Sequence, residues 1–188
     1  MSSLPLFSAL ILAGGKSSRM GRDKALLQLN GQILLAHMQQ LALESGAAEV
    51  LISRNLPGFI ADQLPEQGPL AGILAALQHC SGSQLLVLPI DTPLLTVASV
   101  QQLLQHANGG ACYFSHSPLP CVLPVSQGLS SLISSQLRSG QRSVKALLTQ
   151  LDAVTVAAPA IELLNTNTPD DWQQCINFMS VGSSYAQA

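Results

Sequence analysis

Half of the chain's 8 lysines and arginines crowd into one short stretch: Lys16, Arg19, Arg22 and Lys24, with Asp23 among them. They follow an apolar run, Phe7–Ala13, that ends in Gly14 and Gly15. Glycines let a backbone turn sharply and come close to a ligand. Successive N–H groups in such a turn form an anion-binding nest, and Lys and Arg add charge-assisted hydrogen bonds to phosphate oxygens. The chemistry this combination serves is the gripping of a polyphosphate. The loop is not a Walker A sequence, which needs four residues between its glycines and then Gly-Lys-Ser/Thr. Here five residues separate Gly15 from Gly21, and Arg22-Asp23 follows. Nor is it GxGxxG.

A second chemical position is Asp91, in "LLVLPIDTP", where Pro89 and Pro93 stiffen the turn. A lone hard carboxylate at a strand's carboxyl end suits Mg²⁺, which commonly takes one or two carboxylates plus substrate phosphates. The competing role, capping the next helix, belongs better to Thr96. A further cation group, Arg138, Arg142 and Lys145, surrounds "SGQRSV". Arg142 and Ser143 beside a helix start fit a phosphate site and fit equally a charged helix–helix turn. Asn165 and Asn167, in "NTNTPDDW", carry amides suited to a polar heterocycle, or serve as turn residues before a helix cap. His37, His79, His106 and His116 have no ligand spacing, and Cys80, Cys112, Cys121 and Cys175 form no CxxC pair. The cysteines read as reduced thiols of a cytoplasmic protein.

Elements must position these residues. Apolar runs at Phe7–Ala13, Val50–Ser53, Leu85–Ile90, Ala111–Ser115 and Val154–Ala158 read as strands. Helical spacing marks Ile33–Leu43, Leu70–Leu77, Val97–Leu104, Leu129–Leu137 and Val144–Leu151, and "TPDDW" starts another helix with Thr168 as cap. Alternating strands and helices predict an α/β fold: a mostly parallel sheet with helices on both faces. In such sheets ligands bind beyond the carboxyl ends of the strands, where both the glycine-rich loop and Asp91 fall. A hydrophobic share of 47% with 10% charged residues excludes a disordered chain. A net charge of −2 argues against broad nucleic-acid binding. No run is long enough for a membrane helix, and the N-terminus lacks the basic start of a signal peptide. One domain over 1–188 is expected, with a frayed tail from about 180 to 188. A monomer is the default expectation.

The stretch "LILAGGKSSRMGRDKALLQLNG" resembles the LAGGxSxRMGxDKxLLxLxG signature of nucleotidyltransferases that act on the molybdenum cofactor, and within them the guanylyltransferases. "GPLAGILAAL" (68–77), "PIDTPLL" (89–95), "GQRSV" (140–144) and "LNTNTPDDW" (164–172) follow in the same chain order, so the similarity spans about residues 7–174. The resemblance implies a Rossmann-like three-layer sandwich of the nucleotide-diphospho-sugar transferase type. It implies transfer of GMP from GTP to molybdopterin with Mg²⁺, and transient contact with other cofactor-biosynthesis or molybdoenzyme-maturation proteins. It places Leu12, Ala13, Gly14 and Gly15 against the nucleotide and Arg19 and Lys24 on the triphosphate. Asp62 falls on the nucleoside, Asp91 on the metal, and Asn165 and Asn167 on the pterin side. Ser53 stands where an asparagine is common in the family. Rival readings are a nucleotidyltransferase using CTP or a sugar phosphate, and a non-catalytic nucleotide-binding module.

Overall fold

The computed structural model describes residues 5–14, 23–61 and 67–185, with side chains as far as Met179. In chain order the strands and helices are β1 (Phe7–Leu12), β2 (Gln28–Leu29), β3 (Gln32–Ile33), α1 (Leu34–Glu44), β4 (Glu49–Ser53), α2 (Pro69–Leu77), β5 (Gln84–Pro89), α3 (Val97–Ala107), β6 (Cys112–Phe114), β7 (Ser117–Pro124), α4 (Gln127–Arg138), α5 (Val144–Gln150), β8 (Val154–Val156) and α6 (Pro169–Tyr185). Two 3-10 turns, Lys24–Leu26 and Ala160–Leu163, complete the set.

Six strands form one sheet in the order β4-β1-β5-β7-β6-β8. β1 pairs in parallel with β4 and β5, and β6 with β8, while β7 runs antiparallel to both neighbours. The sheet is therefore mostly parallel, as expected, with β7 alone reversed. The sequence reading did not anticipate β7, and its composition explains why. "SPLPCVLP" holds three prolines, and proline cannot donate to a ladder. Pairing with β5 spans only Cys121–Pro124, so Pro118 and Pro120 lie outside that ladder. Helix α6 continues to Tyr185, past Met179 where the apolar periodicity ends.

Alternation along the buried strands builds the layers. Ala9 and Ile11 of β1, with Leu86 and Leu88 of β5, join the cluster closed by α1, α3 and α6. Leu10, Leu85 and Val87 point the other way, into the cluster closed by α2, α4 and α5. A strand buried on both faces reads as a continuous apolar run; "LLVL" is one because each face takes alternate side chains. Truncating Leu10, fully buried, costs about 3 kcal/mol.

Local sequence sets the details that serve the site. The β2–β3 hairpin turns through Asn30 and Gly31, both at positive φ, the Asn-Gly pair such turns favour. Thr96 caps α3 through its hydroxyl, which accepts from Ser99 N at 3.2 Å. Ser143 caps α5 in the same way, accepting from Ala146 N at 3.2 Å. Gly72 of α2 permits a close approach: a Cβ there would stand 2.6 Å from Ser53 Oγ and 3.1 Å from Leu12 Cδ2. That glycine lets α2 press against the carboxyl ends of β1 and β4.

Candidate active site

Three chain segments far apart in sequence meet at the carboxyl ends of the parallel strands. The first is the end of β1. Ala13 N donates to Ser53 O at 2.9 Å and Ile90 N donates to Leu12 O at 3.2 Å, so the tips of β4, β1 and β5 are knitted together. Gly14 emerges from this knot exposed. Beyond the loop, Asp23 caps the Lys24–Leu26 turn by accepting from Ala25 N at 3.1 Å. The second segment is the turn after β5, which carries Asp91. The third is "NTNTP", reached from the far side of the sheet before α6.

Lys24 joins all three. Its Nζ donates to Asn167 Oδ1 at 2.7 Å and lies 3.6 Å from Asp91 Oδ2. Both members of the ion pair are mostly covered, with side-chain exposures of 14% and 24%. The backbone of Asp91 is held by Thr166, which is fully buried. Thr166 N and Oγ1 donate to Asp91 O at 2.9 and 3.3 Å. His37, on α1, reaches Pro93 O at 2.9 Å and steadies the same turn. Asn167 is fixed in its turn by Asp171, whose Oδ2 accepts from Asn167 N at 3.1 Å and Thr168 N at 2.8 Å. The Thr168 hydroxyl and then its backbone N–H are the main groups holding the Asp171 carboxyl below the usual carboxylate range, with a smaller part from the Lys24 charge. Asn165 accepts from Asn167 N through its backbone carbonyl at 3.1 Å, and its side chain is exposed.

The donor set fits a magnesium ion that shares its coordination with substrate. Asp91 presents a carboxylate that faces the Lys24 ammonium at 3.6 Å, beyond hydrogen-bond range. Its oxygens thus remain available as hard ligands. No group of three or more His, Cys, Asp or Glu able to hold a metal occurs among the described residues. A single carboxylate among the described residues matches the way Mg²⁺ commonly binds, through one or two carboxylates together with substrate phosphates and water.

The sequence places this architecture among known proteins. The model of the MobA-like NTP transferase domain matches residues 9–154. The chain belongs to the MobA-like NTP transferase family. It is 38% identical over 181 residues to a molybdenum cofactor guanylyltransferase of Xanthomonas euvesicatoria, covering 91% of this chain and 95% of that protein. It is 36% identical over 189 residues to a molybdenum cofactor guanylyltransferase of Pseudomonas paraeruginosa, covering 90% and 94%. Among solved structures, molybdopterin-guanine dinucleotide biosynthesis protein A from Archaeoglobus fulgidus superposes with a TM-score of 0.74. That match has 22% identity and covers 92% of this chain and 98% of the other, which speaks to the shared fold.

Within this MobA-like frame, the structure brings together Lys24, Asp91, Asn167 and the tip residues Leu12, Ala13 and Gly14. Gly15, Arg19 and Asp62 lie outside the described residues. Arg142 and Ser143 are not part of the Lys24–Asp91–Asn167 group. They stand exposed before α5, on the side of the sheet covered by α2, α4 and α5, and the Ser143 hydroxyl is committed to its cap. Sequence reasoning passed over Thr166, His37 and the pairing of a buried Arg54 with the more exposed Asp23. A cation directly after a strand end was the one available signal for Arg54; Thr166 and His37 act through backbone carbonyls and left none.

Proposed function

We propose that the chain transfers the GMP moiety of GTP to molybdopterin, releasing pyrophosphate. The observation that carries this reading is the meeting of Lys24 and Asp91 at 3.6 Å beyond the carboxyl ends of β1 and β5, the place where open α/β sheets bind ligands. Support comes from the family membership and from relatives named molybdenum cofactor guanylyltransferases. In this reading the protein acts as one domain and as a cytoplasmic monomer. Among the described residues no helix is long and apolar enough to cross a membrane.

In the reaction a phosphate oxygen of the pterin substrate attacks the α-phosphorus of GTP. The bond to the bridging oxygen breaks, and pyrophosphate leaves with that electron pair. The nucleophile is already anionic, so no general base is needed. The protein's work is positioning and charge neutralisation. The backbone of Leu12, Ala13, Gly14 and Gly15 lies along the nucleotide, and Arg19 and Lys24 hold the triphosphate. Asp62 contacts the nucleoside. Asp91 would hold Mg²⁺, which would supply neutralisation of phosphate charge and lower the repulsion between two anions. Lys24 keeps Asp91 in place before substrate arrives. Asn167, already bonded to Lys24, and the exposed Asn165 face the second substrate. Arg142 and Ser143 would receive its phosphate only in a site wide enough to include the start of α5.

The test is a melting series of the purified chain with Mg²⁺ and GTP, CTP or UTP, since a ligand that binds only the folded state raises the melting temperature with its affinity. GTP is expected to stabilise most. Pyrophosphate release should then require GTP, molybdopterin and the metal together, and stop on chelation with EDTA. A CTP preference overturns the choice of base. GTP binding without pyrophosphate release in the presence of molybdopterin overturns the enzyme.

A further inference from the structure

Arg54 is the one cation outside the two clusters of the sequence, and it is 8% exposed. A buried guanidinium is costly unless its charge and donors are matched. The surroundings match it closely. Nη2 donates to Asp23 Oδ2, and the guanidinium carbon lies 5.5 Å from the centre of the Phe59 ring, a cation–π contact. Phe59 packs on the core beneath α1. The chain folds back to bring it there: Arg54 N donates to Ile60 O at 2.9 Å, and Ile60 N to Ile52 O at 3.0 Å. The cation is thus fixed to the end of β4.

Asp23 divides its two oxygens between different tasks. Oδ2 takes the Arg54 guanidinium. Oδ1 accepts from Ala25 N at 3.1 Å and caps the turn that carries Lys24. One carboxylate therefore bridges a rigid strand end and the segment presenting the ammonium. Without that anchor, the partners of Lys24 among the described residues would be Asn167 and Asp91, which it must share with incoming phosphate and metal.

We propose that Arg54, acting through Asp23, is a positioning residue that sets the place of the Lys24 ammonium at the phosphate end of the site. The inference rests on the nucleotidyl-transfer reading. Its physical basis is that small misplacements of a charge-neutralising group cost rate steeply, and that a planar fork held on a ring and a carboxylate has little freedom to lose.

The experiment uses the full chain with Asp23→Asn, Arg54→Gln, Arg54→Lys and the double variant D23N/R54Q. Three quantities are read for each folded protein: affinity for magnesium pyrophosphate, affinity for guanosine, and turnover with GTP and molybdopterin. D23N and R54Q should each lower pyrophosphate affinity and turnover by about 10-fold or more. Guanosine, which has no phosphate, should bind within about twofold of wild type. The double variant should be no worse than the worse single one, since both act through one contact. R54K should recover part of the loss, retaining the charge without the fork. Where R54Q does not fold, D23N carries the test, because the Asp23 side chain is 42% exposed. The proposal is overturned if D23N keeps pyrophosphate affinity and turnover within about twofold while only its melting temperature falls, as a purely structural pair requires. Equal losses for guanosine and pyrophosphate also overturn it, as does an additive double variant. A wild-type chain with no turnover at all instead removes the functional reading, whatever the variants do.

Discussion

The two ends of the sheet treat a carboxylate in opposite ways. Where β4, β1 and β5 begin, Glu49 Oε1 accepts from Ser8 Oγ at 2.5 Å, Ser81 N at 2.6 Å and Ser81 Oγ at 2.8 Å. Ser8 Oγ accepts from Gly82 N at 3.0 Å, so the network closes on itself. Gly82 fits so tightly that a Cβ there would stand 2.7 Å from Phe7 Cα. Where the same strands end, Asp91 has an ammonium at 3.6 Å and no hydrogen-bond donor among the described residues. Its backbone, by contrast, is clamped twice by Thr166. A carboxylate tied down by three donors on one oxygen strengthens the fold. One that is held in place with its lone pairs unused is fit to meet a metal or a substrate cation. The difference lies in what faces the carboxylate among the described residues: neutral hydroxyls and amides at one end, the Lys24 ammonium at the other.

The contrast breaks most visibly at Asp91. Asp91→Asn should cut pyrophosphate release by about 100-fold or more, the scale on which removing one electrostatic group from a transition state is felt. Its melting temperature should stay within a few degrees, because a partly exposed pair adds only about 1 kcal/mol. Full activity in this variant would remove Asp91 from the chemistry. Lys24→Met should follow with a loss of similar order in turnover and a weaker grip on pyrophosphate, again at little cost in stability. If Lys24→Met instead unfolds the chain, the ligand end is as structural as the other end, and the comparison fails.

Much of this arrangement could be read in the sequence, and the reasons are physical. The strands β1 and β5 declare themselves because burial on both faces leaves mostly apolar residues, and the edge strand β4 still carries the apolar run Val50, Leu51 and Ile52. The loop after β1 and the turn at Asp91 stand out because glycines, prolines and charges interrupt those runs. Local caps at Thr96, Ser143 and Thr168 follow from short-range rules and sit where such rules put them. What could not be read depends on contacts over long separations. Lys24 and Asn167 are 143 residues apart and Arg54 and Asp23 are 31 apart, and no periodicity links them. The burial of Arg54 was not legible because Phe59 and the returning chain at Ile60 set it, not its neighbours in sequence. β7 was hidden for another reason: its prolines mask the strand, although Pro118 and Pro120 lie outside its ladder with β5 and Pro124 stands only at that ladder's last position.

The smallest expected effect sharpens the comparison from the other side. The hydrogen bond from Ser8, then that from the Ser81 backbone, holds the Glu49 carboxyl below its ordinary value of 4.5, with partial desolvation opposing. A folded-state pKa lower than the unfolded one means that the unfolded chain binds the proton more readily. The stability this network contributes is therefore fully present above the unfolded pKa near 4.5 and is lost as pH falls through the lower folded value. Glu49→Gln should lower stability at neutral pH by about 1 kcal/mol, the scale of hydrogen bonds to a charged acceptor screened by nearby solvent. Turnover of the folded protein should not change. The Asp171 carboxyl titrates in the same direction but is present in both proteins, so the difference between their urea midpoints isolates Glu49. That difference should be constant from pH 7 down to about 5 and shrink toward zero in more acidic buffer. A gap that persists unchanged at low pH would mean that Glu49 acts by shape alone. The two ends of the sheet would then differ in position but not in how they use a negative charge.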